Sequence, residues 1–81
     1  FRRVLFRSNG RRKPTRNFLL RIAIFISLSL DETQKMLTIA QRPQLYPRNR
    51  FDAAIIFSLE HKMSLDETYE LLEEIGEEPL N

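Results

Sequence analysis

The pentapeptide SLDET stands twice in this chain, at residues 29–33 and 64–68, 35 positions apart. In both copies a serine precedes a glutamate by three positions. At that spacing the serine oxygen can accept from the glutamate N–H while the glutamate side chain reaches back to the serine N–H. Ser29 with Glu32 and Ser64 with Glu67 therefore read as two helix starts. Apolar residues follow on one helical face, Met36, Leu37 and Ala40 in the first copy and Leu71, Leu72 and Ile75 in the second. Each copy is preceded by an apolar helical segment and closes near a proline and a leucine, Pro43 and Leu45 or Pro79 and Leu80. The duplication predicts an all-α fold, a small bundle of about four helices in two repeated antiparallel helical pairs.

The spacing predicts helices over about 16–28, 30–40, 50–62 and 65–75. Thr15 and Asn49 are positioned as N-caps of the first and third, and Asp52 lies in a first turn, where the helix dipole favours an acid. Gly76 is expected in the left-handed conformation that ends the fourth helix. Pro43 and Pro47 break the connector between the two pairs. Leu37 and Leu72 are expected at equivalent buried positions, with Ile22, Ile55 and Leu59 completing the core. Tyr46 and Phe51, on either side of the connector, are expected to pack the pairs together. The first helix is apolar almost all round, so Phe18 and Phe25 are candidates for exposure and for self-association. No segment alternates with period two, and no sheet is expected.

Composition excludes several functions. The 81 residues make one small domain at most, with a marginal core. There is no Cys, hence no disulfide framework or thiolate metal site, and the single His61 cannot form a metal site alone. The longest apolar run, residues 18–30, is too short to span a bilayer. No secretory cleavage pattern is visible, which leaves a cytoplasmic location as the expectation. Glu67, Glu70, Glu73, Glu74, Glu77 and Glu78 read as a solvated face and tail. Nothing assembles a nucleophile, a base and an oxyanion site, so neither an enzyme nor a cofactor is expected.

Charge is divided along the chain. Residues 1–50 hold twelve Lys/Arg against two acids, and residues 51–81 hold one Lys against nine Asp/Glu. Such a split points to a basic end that meets a polyanion. Part of it is set aside, because residues 1–8, FRRVLFRS, are the in-frame translation of a common short-read sequencing adapter. They read as a non-native segment standing where the protein's own N-terminal residues belong. The basic loop at residues 9–16, NGRRKPTR, remains.

From residue 9 to residue 80 the motif order resembles small bacterial regulators of the XRE type, the Cro and phage-repressor-like helix-turn-helix proteins. The resemblance rests on Gly10, Arg12, Pro14, Thr15 and Arg16, then residues 28–33, then Leu45, Tyr46, Pro47, Arg48 and Asp52. The second capping segment at 64–68, Gly76 and Leu80 complete it, while Gln41 stands where the family usually ends a helix with Gly. The resemblance implies a transcription regulator that binds double-stranded DNA. It divides the chain into the C-terminal part of a DNA-binding domain over 9–45 and an accessory helical pair over 46–81. Family members place the base-reading helix before the basic loop, so the resemblance implies that this helix is missing here. It also implies that Asn9, Gly10, Arg11, Arg12, Lys13, Thr15 and Arg16 contact the phosphate backbone. Such contacts position a protein without reading sequence. The alternative is a small helical protein-interaction module, with a homodimer or another protein held through exposed apolar helix faces. A 35-residue period is also that of helical solenoids.

Overall fold

The computed structural model describes residues 14–80. The described residues form four helices: α1 (Arg16–Phe25), α2 (Leu30–Ile39), α3 (Arg50–Glu60) and α4 (Leu65–Glu74). No strand occurs among the described residues. Both SLDET copies form the reciprocal capping box. Ser29 Oγ accepts from Glu32 N at 3.1 Å and Glu32 Oε1 from Ser29 N at 2.9 Å. The matching bonds of Ser64 and Glu67 are 3.1 and 2.8 Å. One turn later Thr33 and Thr68, both fully buried, donate their hydroxyls at 2.8 Å to Ser29 O and Ser64 O. A buried hydroxyl needs such a partner, which explains how the repeat places threonine in its core.

All four helices end alike. Ser27, Gln41, Lys62 and Gly76 adopt positive φ of 59°, 60°, 53° and 76°. The next residue's N–H reaches back to close a Schellman motif: Leu28 to Ala23 O, Arg42 to Leu37 O, Met63 to Ser58 O and Glu77 to Leu72 O, all 2.8–2.9 Å. Three of the four positions lack the glycine that this conformation favours. The helices expected over 16–28 and 50–62 therefore stop at Phe25 and Glu60, because the chain turns left-handed two residues further on.

Burial follows the repeat. Leu19 and Ala54, Leu20 and Ile55, Ala23 and Ser58, Ile24 and Leu59, Thr33 and Thr68, Leu37 and Leu72, and Leu45 and Leu80 are pairs 35 apart, buried at both positions. Leu37, Leu72, Ile55 and Leu59 are in the core as expected, but Ile22 is only half-buried. On α1 the inward face is Leu19, Leu20, Ala23 and Ile24. Tyr46 does not join the pairs, since it is 58% exposed; Leu45 fills that place, and Phe51 packs against the core half-buried.

Within each pair the helices pack on each other, α1 with α2 and α3 with α4. Between pairs, α1 packs on α3, and each of these also touches the other pair's second helix, while α2 and α4 meet least. The starts of α1 and α3 are joined by Arg16 and Asp52, and their ends by Lys62 Nζ, which donates to Ser27 O at 3.3 Å. The two first helices thus run side by side in the same direction. Each first helix touches the other pair's second helix to the same extent, the reciprocity of an approximate two-fold between the pairs and not of the stacking translation of a solenoid.

Candidate nucleic-acid interface

Of the residues expected at phosphate, Asn9, Gly10, Arg11, Arg12 and Lys13 lie outside the described residues. Thr15 and Arg16 are at the start of α1. Thr15 Oγ1 accepts from Phe18 N at 3.1 Å and so caps the helix. Arg16 turns into the fold. Its guanidinium donates to both Asp52 oxygens, at 3.1 and 2.9 Å, and to the carbonyls of Pro43 at 2.9 Å and Gln44 at 3.0 Å. The side chains are 22% and 8% exposed, and the planar fork matches the carboxylate bidentately. Asp52 Oδ2 also accepts from Tyr46 N, and Asn49 Oδ1 caps Asp52 N. Arg16 thus joins α1, the connector and α3.

The basic segment leads directly into this helix start. The first turns of α2 and α4 carry Asp31 and Glu32, and Asp66 and Glu67, and that of α3 carries Asp52. The first turn of α1 carries no acid. Its N–H dipoles therefore meet no carboxylate from their own first turn, an arrangement that favours anions. Arg42 steadies the entry by donating Nε to Pro14 O at 3.0 Å. Gln34 fixes the connector behind it, with Nε2 donating to Leu45 O and Oε1 accepting from Leu45 N.

The second candidate surface is apolar. Phe25 is 76% and Phe18 44% exposed, with Ile26 beside Phe25 and the Arg21 guanidinium 5.7 Å from the Phe18 ring centroid. On the other pair an open groove of about 280 Å³ lies between α3 and α4, lined by Arg50, Ala53, Ala54, Phe57, Leu71 and Ile75. The sequence reading missed this groove, although its cause is visible in the repeat: Ala53 stands where the first copy has Phe18. It also missed the Arg16–Asp52 pair. The available signal was a lone acid inside the apolar run of α3. Among the described residues no group of His, Cys, Asp or Glu is placed to hold a metal ion, and no helix is long and apolar enough to cross a membrane. No family model matches the chain, and neither the curated proteins nor the solved structures hold a match to it.

Proposed function

We propose that this chain is a helical module of a bacterial DNA-binding transcriptional regulator of the XRE type, and that it touches DNA through phosphate rather than bases. One observation carries the reading: the basic segment at 11–13 runs into the one described helix whose first turn has no acid. The motif order from Gly10 to Leu80 supports the same family. Arg11, Arg12, Lys13 and the neighbouring Asn9 and Gly10 supply the contacts. Thr15 holds the helix start in shape, and Arg16 acts from within as a brace. The acidic α4 faces away from a polyanion for electrostatic reasons. Binding of this kind is weak and indifferent to sequence. The location consistent with this role is the cytoplasm.

The test is DNA binding as a function of salt, comparing the chain with Arg11→Ala/Arg12→Ala/Lys13→Ala. If all three contact phosphate, affinity should fall alike for every sequence, and the slope of log affinity against log salt should drop by about 2.7. A chain that binds no DNA at low salt overturns the reading. The exposed Phe18 and Phe25 and the open α3–α4 groove favour a second role, protein association through helix faces.

A further inference from the structure

We infer that the turn at 46–49 carries a second phosphate contact, Arg48 pairing with one phosphodiester oxygen of duplex DNA and the Tyr46 hydroxyl donating to another. The inference rests on the DNA reading above. It adds to that reading a residue 35 positions beyond Lys13.

The fold brings the two segments to one end of the bundle. Arg42 Nε donates to Pro14 O at 3.0 Å, and Arg16 donates to the carbonyls of Pro43 and Gln44 at 2.9 and 3.0 Å. The residue that follows the basic segment is thus fastened to the connector. Further along, Tyr46 N–H is held by Asp52 Oδ2 at 2.9 Å, and Asn49 N–H closes the turn on Tyr46 O at 2.9 Å. Asn49 then caps α3. The turn is therefore anchored at both ends, while the side chains of Tyr46, Pro47 and Arg48 are exposed. A backbone ordered in advance loses less freedom on binding. Arg48 is also the repeat equivalent of Lys13, so a cation precedes each of the two helices that start side by side.

Charge points to a polyanion at this turn. Residues 33–51 contain no Asp or Glu. Asp52, which follows, has both oxygens taken by Arg16. Glu77, from the acidic end of α4, lies 3.7 Å from Arg50 Nε, and Arg50 also donates to Ile75 O. Arg42 is half-buried against Pro14. Arg48 remains, exposed, and among the described residues no ion pair or hydrogen bond holds its side chain. An arginine and a tyrosine presented together are both donors of the kind that contact phosphate.

Anisotropy titrations of the full chain on duplex DNA, over a salt series, test this. Arg48→Ala should lower the slope of log affinity against log salt by about 0.9, the share of one phosphate contact. Arg48→Lys should restore the slope, since an ammonium also serves phosphate as a point charge. Tyr46→Phe should weaken binding by about two- to tenfold with the slope unchanged, the effect of a neutral hydrogen bond. Lys35→Ala removes the same charge from α2 and should leave the slope where it was. Arg48→Gln takes the place of Arg48→Ala if the latter loses its helical circular-dichroism signal. An unchanged slope in Arg48→Ala overturns the inference, as does an equal drop in Lys35→Ala, which would show net charge alone at work. If Arg11→Ala/Arg12→Ala/Lys13→Ala still lowers the slope, the DNA reading outlives that failure. A parent that binds no DNA at low salt ends both.

Discussion

Arg16 and Asp52, 36 positions apart, close a two-bond fork where both helical pairs and their connector meet. The carboxylate is nearly desolvated, and Tyr46 N–H depends on it as well. Removing one partner of such a pair leaves the other without compensation. Asp52→Ala should cost about 3–4 kcal/mol, the lower part of the buried-pair range because Arg16 retains some solvent contact. Arg16→Lys should recover little, since an ammonium cannot reproduce the fork or reach both carbonyls. Urea midpoints at unchanged m-value measure both.

Leu72 is the second-copy twin of Leu37, and both are buried. Leu72→Ala should cost roughly 2–5 kcal/mol. A domain of this size has about 3–5 kcal/mol of stability, so the variant should be largely unfolded at 25 °C by circular dichroism. Ser64→Ala removes a cap and should cost only about 1 kcal/mol. A Leu72→Ala chain as stable as the parent contradicts the shared core.

The left-handed helix ends give a prediction of opposite sign. Ser27, Gln41 and Lys62 hold positive φ with a side chain present. Ser27→Gly should stabilise by about 0.5–1 kcal/mol by relieving that conformation. Gly76→Ala should destabilise by a similar amount, about 1 kcal/mol, for backbone reasons alone, because a Cβ there meets nothing within 4 Å. Thermal midpoints of the two variants should move in opposite directions.

Ser58 Oγ is buried and has no hydrogen-bond partner, and its twin in the first copy is Ala23. The first copy thus supplies the remedy. Ser58→Ala should stabilise by about 1 kcal/mol by removing an unsatisfied hydroxyl, read as a rise in the urea midpoint.

Much of this fold was legible in the sequence because its determinants are local. The serine and glutamate of each capping box are three positions apart, and the four helices start where Thr15, Ser29, Asn49 and Ser64 placed them. The helix ends were less legible. Gly76 announces one, whereas Ser27 and Lys62 adopt the same geometry without the glycine that would have marked it. Ile22 was placed in the core and is half-buried, because a helix apolar on nearly every side carries little periodic signal to fix its rotation; packing on α3 fixes it. Tyr46 was assigned inward on hydrophobicity alone, and the carboxylate it serves is reached through its backbone instead. At the candidate site, the Arg16–Asp52 bridge depends on a 36-residue separation that no local pattern encodes. The basic segment at 11–13 was read from composition and family likeness and lies outside the described residues.

The approximate two-fold between the pairs has a consequence for how such a bridge can arise. In two identical hairpins meeting about an axis every contact is made twice, residue i to j and j to i. Tandem copies in a single chain are free of that restriction: Arg16 and Asn17 stand where the second copy has Phe51 and Asp52, so the bridge forms once, and one half can be basic while the other is acidic. Covalent linkage also makes the meeting of the halves intramolecular, at an effective concentration in the millimolar range for a short connector. The protein thus has the geometry of a dimer together with a polarity that no symmetric dimer can possess.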